Sequence, residues 1–347
     1  MVKDILNIIP YNNRYKRSYL FLAKLICDDY QVEKVIGVEN ISTYLFYKGY
    51  GIKLDKSADM GIEKLVRHDI HTENTIYRAI MYNDLERFIQ FTERKEFFED
   101  QKFYSLLYPS NLEGYSLLEL CCYHGAIDCF KLLRTKFQSE ITKLCLELSF
   151  LGGNQEIMSE CLKYQKPDEK CMEYAIISHN IDFVTFLMNE YNIEIDLYYC
   201  GKYNNLDAVL VYFDQTNNIN KCFMYSGMFN IPSLSEYFLS LGANINEKHK
   251  DGLTALHYAA IKNSEETVKF LVSHGININE KNKCGETALH YAAQYNNKEI
   301  AKLLISHGAN INEKDKDGKT ALRYALENNS KETAELLISH DGRILSK

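Results

Sequence analysis

The chain has 347 residues, of which 46 % are hydrophobic and 25 % are charged, and its formal net charge is −7 at pH 7. This composition is sufficient for a sizeable core, and no run of 18 apolar residues predicts a membrane span. The acidic balance argues against general nucleic-acid binding. The ten cysteines show no CxxC pairing, so we expect reduced thiols in a cytoplasmic protein, with the nucleus as an alternative.

Residues 1–70 show no internal repeat. The stretch "YLFLAKLICDDYQVEKVIGVENISTYLFYKGY" predicts two or three amphipathic helices, whose first apolar set includes Leu20, Phe21, Leu25 and Ile26. One interpretation is a helical cap that covers the apolar side of the next helix pair, and the other is a docking region for a second protein. The basic stretch "RYKR", residues 14–17, is expected to lie on a solvated face.

Two markers recur in register after residue 70 and predict tandem helix pairs. The first is a residue that tolerates left-handed backbone angles, as a tight turn between helices requires: Asn83, Gly125, Gly153, His179, Asn204, Asn230, Asn263, Asn296 and Asn329. The second, three residues later, is with one exception an acid suited to the first turn of a helix: Glu86, Asp128, Glu156, Asp182, Asp207, Ser233, Glu266, Glu299 and Glu332.

The spacing of the first marker divides the chain further. From Gly125 the steps are 28, 26, 25 and 26 residues, and then 33 three times. A step of about 25 residues accommodates two helices and two tight turns without a projecting finger. We therefore predict degenerate, finger-less helix pairs over 71–217, with a loop near 92–115, and regular repeats over 218–347.

Three similar segments mark these regular repeats: "DGLTALHYAA", "CGETALHYAA" and "DGKTALRYAL". In each, a threonine precedes the predicted inner helix, where its hydroxyl can accept from unpaired backbone N–H groups. Gly275 and Gly308 are predicted to end the outer helices in left-handed conformation. The residues assigned structural roles are Thr254, His257, Gly275, Thr287, His290, Gly308 and Thr320.

The 33-residue unit with "T-A-L-H-Y-A-A" resembles the ankyrin repeat. The resemblance implies an all-α ankyrin-repeat solenoid with a helical N-terminal cap and short β-hairpin fingers near 244–252, 277–285 and 310–318. It also implies that Thr254 and His257, like Thr287 and His290, bond locally and connect one repeat to the next. Arg323 replaces the histidine in the third unit, which fits a repeat that has no following finger to bind.

The earlier stretches "SLLELCCYHGAIDCFKLLRTKF" and "NIDFVTFLMNEYN", together with "LSLGANINEKHK", extend the resemblance. They are similar to a large ankyrin family of trichomonad protists, in which a helical region of unknown function precedes regular repeats. This family contributes no established activity for the helical region.

Other combinations of residues were weighed as chemical sites. "CCYH" at 121–124 suggests soft ligands for zinc, but no second pair follows, and Cys121 and Cys122 stand where Ala259 and Ala260 stand in the regular repeat. These two cysteines, Cys200 and Cys222 are therefore predicted to be buried, whereas Cys284 is predicted to be exposed at a finger tip. "GGNQE" at Gly152 is interpreted as a turn and not as a phosphate loop. No catalytic residue, metal ligand or cofactor is predicted.

The positions that differ between repeats predict a binding surface. The framework residues recur, while positions after each finger and at the end of each inner helix vary, and Tyr295 is the first choice for an energetic anchor. The full set is Lys250, Asp251, Leu253, Ile261, Lys262, Lys283, Cys284, Glu286, Gln294, Tyr295, Lys316, Asp317, Lys319, Glu327 and Asn328.

Three functions follow from these observations. The first is a non-enzymatic, monomeric scaffold that binds other proteins through a concave surface, without nucleic acid or membrane contacts. The second is an adaptor or effector that recruits another complex through its N-terminal helices. The third is an enzyme-like module in the region before the regular repeats.

Overall fold

Helices form nearly all the regular structure of the residues that the computed structural model describes, which are 1–32, 34–35, 37–54, 72, 74–109 and 113–344. Their contacts divide the chain into two units, Met1–Asp196 and Leu197–Lys347. An isolated bridge between Phe103 and Tyr115 is the only β pairing within the described residues. The all-α class predicted from the sequence is therefore confirmed. Among these residues, no helix combines the length and the apolar character that crossing a bilayer requires.

The first unit contains eleven α-helices among its described residues. Their bounds are α1 Val2–Asn7, α2 Lys16–Asp29, α3 Asn40–Tyr50, α4 Ile76–Met81, α5 Leu85–Thr92, α6 Leu117–His124, α7 Ile127–Lys136, α8 Lys143–Gly152, α9 Gln155–Leu162, α10 Glu169–Ile177 and α11 Ile181–Tyr191. Short 3₁₀ turns at Ile9–Tyr11 and Asn13–Tyr15 join α1 to α2. The helices α4, α6, α8 and α10 pack in succession, and α5, α7 and α9 pack in a second row.

Local sequence explains where these helices begin and how closely they approach. Ser116 forms a capping box with Glu119 at the start of α6, in which each side chain accepts from the other residue's backbone N–H. Gly152 lies where α8 meets α6, and a Cβ atom there would come within 2.0 Å of the carbonyl oxygen of Cys122. Gly153 follows with φ +71° as the C-cap. The "GGNQE" segment is thus a helix–helix turn, as predicted.

The N-terminal segment is bonded to α6 and to the loop before it. The Asn13 side-chain amide donates to the Leu107 carbonyl at 2.6 Å, and the Tyr123 hydroxyl donates to the Pro10 carbonyl at 2.8 Å. Arg14 donates to the carbonyl of His124 at 2.7 Å, and the side chain of Lys16 is largely buried. The expectation of a solvated "RYKR" face is therefore wrong for Arg14 and Lys16, because this segment packs inward. Residues 33, 36 and 55–70 of the predicted 1–70 region lie outside the described residues.

The second unit contains ten helices among its described residues. Their bounds are α12 Leu197–Lys202, α13 Leu206–Thr216, α14 Ile219–Ser226, α15 Pro232–Ser240, α16 Ala255–Lys262, α17 Glu265–Ser273, α18 Ala288–Gln294, α19 Lys298–Ser306, α20 Ala321–Glu327 and α21 Lys331–Ile344. Inner helices α12, α14, α16, α18 and α20 pack in order, with α15, α17, α19 and α21 as an outer row. The paired alanines at 259–260 and 292–293 are fully buried between inner helices, which allows close packing.

The predicted β-hairpin fingers are wrong as β-structure. The segments near 244–252, 277–285 and 310–318 are turns, each closed by two backbone bonds, such as Asn282 N–H to the Glu286 carbonyl at 2.9 Å and Gly285 N–H to the Asn282 carbonyl at 3.0 Å. A β ladder would need further backbone hydrogen bonds between the two arms of each turn. In the second turn, a side chain bonds backbone N–H groups that could have formed them. The Oδ1 atom of Asn282 accepts from the N–H groups of Cys284 and Glu286, both at 2.9 Å. We call these three segments the finger turns.

The two repeat markers are confirmed with one exception. Eight of the nine turn residues have positive φ, from Asn83 at +53° to Gly153 at +71°. Asn230 does not: α14 already ends at Ser226, and the restriction by Pro232 falls on Ile231, which has φ −126° and ψ +89°. The Asn230 side chain instead accepts from the N–H of Glu266 at 2.9 Å. The eight acids of the second marker all lie in the first turn of a helix.

Candidate partner-binding surface

The joint between the first two regular repeats is built on Thr254 and His257. The Thr254 N–H donates to Nδ1 of His257 at 3.1 Å, so this nitrogen must be unprotonated. The Nε2–H group therefore donates across the joint to the carbonyl of Glu286, 3.2 Å away. His257 is 1 % exposed, and its burial lowers the pKa to about 4. The imidazole is thus a neutral connector between repeats.

The next joint repeats this arrangement, and the last repeat departs from it. Thr287 N–H donates to Nδ1 of His290 at 3.1 Å, and Nε2 of His290 lies 3.2 Å from the Lys319 carbonyl. Burial also lowers the pKa of His290. In the third unit Arg323 is exposed and donates instead to Glu327 at 2.8 Å. Thr320 caps α20 in extended conformation, but no histidine bond crosses from this repeat.

Both threonine–histidine pairs are enclosed by the repeats. Thr254 and Thr287 are 0 % and 2 % exposed, and their hydroxyl groups lie 2.9 Å from the histidine Nδ1 atoms. A substrate could not reach either hydroxyl without opening the joint. The left-handed glycines Gly275 and Gly308, with φ of +81° and +95°, end the outer helices. The geometry of all these residues therefore supports structural roles.

The variable positions lie outside this framework. None of the fifteen is buried, and nine are exposed: Lys250, Asp251, Lys283, Cys284, Tyr295, Lys316, Asp317, Glu327 and Asn328. Leu253, Ile261, Lys262, Glu286, Gln294 and Lys319 are half-buried. The set occupies the finger turns, the segments that follow them and the C-terminal ends of the inner helices. Tyr295 directly follows α18 and is 37 % exposed, and partial burial raises the pKa of its hydroxyl.

Some of these side chains are engaged within the second unit. Lys262 donates to the carbonyl of Lys202 at 2.7 Å, which connects the ends of α16 and α12. Lys319 pairs with Glu327 at 2.8 Å. These residues can still contact a partner, but rearranging them would cost their present bonds. The exposed finger-turn residues and Tyr295 are therefore the better contact candidates.

Glu286 belongs to a polar network that the sequence did not reveal. Its carboxylate accepts from the hydroxyl of Tyr291 at 2.6 Å and from the side chain of Asn282 at 2.7 Å. The hydroxyl of Tyr324, one repeat later, lies 2.7 Å from Glu286 and 2.8 Å from Asp315. Burial alone would raise the pKa of Glu286, but these hydrogen bonds outweigh it and lower the pKa. The recurring tyrosines at 33-residue spacing were the only available signal.

The cysteine predictions are confirmed. Nine of the ten thiols are buried, including Cys121, Cys122, Cys200 and Cys222, and Cys284 is exposed. Burial raises the pKa of Cys121 and Cys122 well above the ordinary value. The pKa of Cys145 is lowered, because the neighbouring Cys122 thiol forms a hydrogen bond with it. Within the described ranges, no three His, Cys, Asp or Glu side chains are grouped so that they could hold a metal ion.

Comparison with known families agrees with this geometry. Residues 222–272, 256–305 and 292–338 match the model for ankyrin repeats (many copies), and residues 137–212 match a domain of unknown function (DUF3447). No curated protein matches the chain. Residues 222–338 therefore carry ankyrin repeats, and the DUF3447 region precedes them. Ankyrin repeats generally mediate protein–protein interaction and are generally not enzymes.

Proposed function

We propose that this protein is a non-enzymatic scaffold that binds one or more other proteins through the concave surface of its ankyrin repeats. The contacting positions are those of the variable set, on the finger turns and at the inner-helix ends. Solenoid repeats present extended surfaces of this kind, on which a constant framework carries changing contact residues.

One contrast supports the proposal most directly. The threonines and histidines that recur at the first two joints are buried, with His257 and His290 at 1 % exposure, whereas none of the fifteen positions of the proposed surface is buried. A partner can therefore reach the positions of the proposed surface, whereas it cannot reach the residues of the joints. Such a division is typical of a framework that is adapted to a binding partner at its surface.

Tyr295 is the proposed anchor, since aromatic residues in a polar surround contribute much of the free energy at interfaces. Tyr295→Ala should reduce binding of the native partner by about 2 kcal/mol or more, roughly thirtyfold in Kd. It should leave the melting temperature nearly unchanged. Tyr237→Ala is the matched control, because Tyr237 lies on the outer helix α15 and is 46 % exposed. Equal binding by the wild type and Tyr295→Ala would contradict the role of this residue.

The finer organisation belongs to the same proposal. Residues 1–70 act as a cap or docking region, 71–217 as finger-less helix pairs and 218–347 as regular repeats. The order of the DUF3447 match and the ankyrin matches supports membership of the trichomonad family with that two-part organisation. We propose a cytoplasmic or nuclear location and a monomer whose partners are proteins, without nucleic acid or membrane contacts.

A second candidate function, an adaptor, is favoured by the exposed face of α2. Phe21, Leu22 and Leu25 are 57 %, 45 % and 41 % exposed on this helix, although residues beside it are bonded into the first unit. Phe21→Ser combined with Leu25→Ser tests the face without removing the buried segment. Loss of one captured protein in this variant, with retention of the Tyr295-dependent partner, would support an adaptor. Identical capture by the variant and the wild type would rule the adaptor out.

An enzyme-like role in the first unit has no such support. A cavity of about 210 Å³ lies beside α4 and α5, lined by Asn74, Thr75, Arg78, Ala79, Tyr82, Asp84 and Arg87. Ligand sites generally occupy about 300–1,000 Å³. In the cavity lining, no serine or cysteine accompanies a histidine as nucleophile and base. The proposal therefore remains a binding function.

A further inference from the structure

Helix α2 has an exposed apolar face opposite the face that it buries in the first unit. Ala23 and Cys27 are buried, whereas Phe21, Leu22 and Leu25 are 57 %, 45 % and 41 % exposed. Since a helix completes a turn in about 3.6 residues, the two sets project from opposite sides. The three exposed side chains therefore form an apolar stripe that a partner can reach.

Charged residues stand at both ends of this stripe. One ridge of the helix, along which residues recur at every fourth position, carries Arg17, Phe21, Leu25 and Asp29. Arg17 and Asp29 are exposed. At the rise of an α-helix, their backbones lie about 18 Å apart along the axis. The apolar part of the ridge thus has a positive charge at its N-terminal end and a negative charge at its C-terminal end.

This order of charges opposes the macrodipole of α2. A helix favours acids in its first turn and bases in its last turn. The first turn of α2 instead holds Lys16 and Arg17, and its last turn holds Asp28 and Asp29. Lys24 pairs with Asp28 within the helix, which leaves Asp29 as the exposed acid beside the negative end of the dipole. A second helix whose dipole runs the other way would stabilise both ends at once.

We propose that this face binds an amphipathic α-helix of a partner protein, antiparallel to α2, with a basic residue near its N-terminal end and an acidic residue about twelve positions later. In this orientation the basic residue lies beside Asp29, and the acidic residue and the negative end of the partner's dipole lie beside Arg17. A parallel helix would bring its positive end to Arg17, where like charges repel. The inference rests on the proposed adaptor function and specifies the chemistry of its partner.

The test uses the full chain and a fluorescent, alanine-rich helical peptide in which lysine, leucine, leucine and glutamate follow one another at the spacing of the α2 ridge. Binding is followed by anisotropy, and a photoreactive group at the N-terminus of the peptide records its orientation. Mass spectrometry of the digested complex should locate the adducts near Asp29 and Tyr30. Adducts near Arg17, or equal adducts at both ends of α2, would overturn the inference.

Arg17→Gln combined with Asp29→Asn should weaken peptide binding roughly fivefold, because exposed ion pairs contribute modestly one by one. The melting temperature should not fall, since the variant removes two charges that oppose the helix dipole. The matched control, Glu160→Gln with Lys163→Gln, removes an exposed ion pair at the end of α9 and should leave binding unchanged. Equal binding by the wild type and the α2 charge variant, or equal weakening by the control, would refute the proposed pairing.

A second copy of the chain is the other occupant to test, because α2 itself has the order of charges proposed for the partner. Sedimentation of the wild type should give the monomer mass, and a dimer that the charge variant dissociates would replace the partner helix. If Phe21→Ser with Leu25→Ser loses a captured protein that the charge variant retains, the antiparallel helix is wrong and the adaptor stands. If that serine variant captures the same proteins as the wild type, the adaptor and this inference both fail, while the Tyr295-dependent scaffold stands.

Discussion

Replacing His257 with alanine should loosen one joint of the solenoid and leave the binding surface intact. The substitution removes the partner of the Thr254 N–H, 3.1 Å away, and the donor to the Glu286 carbonyl, 3.2 Å away. Thr254 is fully buried, so water cannot replace the lost bond at its backbone without opening the joint. The Glu286 carbonyl still accepts from the Asn282 N–H at 2.9 Å, so the Thr254 N–H is the backbone group left unpaired, at a cost of about 1–3 kcal/mol.

Thermal unfolding should register this loss directly. For a unit of this size, each kcal/mol corresponds to roughly 2–4 °C, so a loss of about 1–3 kcal/mol should lower the melting temperature of the second unit by roughly 2–12 °C. Native-state hydrogen exchange should show the greatest loss of protection in α16 and α18, because repeats stabilise mainly their neighbours. His290→Ala should act in the same way one repeat later.

Arg323→Ala is the internal control for this reasoning, because Arg323 is exposed and pairs with Glu327 in its own helix. Its effect should not exceed about 0.5 kcal/mol. The reasoning would be refuted by a His257→Ala protein that melts like the wild type but no longer binds its partner. That result would make the histidine a contact residue and not a connector.

Three other perturbations test the structure. Burial holds the pKa of His257 near 4 in the folded state, against an ordinary 6.5. The stabilisation by the neutral imidazole should therefore be full above pH 6.5 and decline towards pH 4, by about 3 kcal/mol at most. Melting curves over a pH series should show a smaller decline for His257→Ala than for the wild type. Thiol labelling of the folded protein should modify Cys284 rapidly and Cys121 slowly, and equal rates would contradict the burial pattern. Gly152→Ala should destabilise the first unit by about 2 kcal/mol or more, because a Cβ atom would lie 2.0 Å from the Cys122 carbonyl oxygen. A variant that unfolds in urea at the same concentration as the wild type would contradict this close packing.

The repeat pattern was sufficient to predict the helix pairs, because left-handed turns and first-turn acids are local requirements of the backbone. The register survives even where the sequence has diverged, as at His179 with φ +54°. It failed at Asn230, because the preceding helix α14 already ends at Ser226. It also failed for the β-hairpin fingers, since side chains such as Asn282 satisfy groups that a ladder would have paired.

The candidate surface was predictable in position but not in detail. Comparison between repeats identified Cys284 and Tyr295 as variable, and both prove to be exposed. The same comparison could not show that Glu286 is held by Tyr324 from the next repeat, because that bond spans 38 residues. Nor could it show that Arg14 is bonded to His124, 110 residues away. Local periodicity carries no information about such long-range bonds.

Site-specific photo-crosslinking in the native cell tests the central claim most directly. A photoreactive amino acid would replace Tyr295 on the proposed surface in one protein and Tyr237 on outer helix α15 in another. The scaffold account predicts that the 295 position yields a discrete protein adduct, that unlabelled wild-type protein competes for it, and that the 237 position yields none. Adducts of equal yield at both positions, or a discrete adduct at 237 alone, would contradict binding through the concave surface.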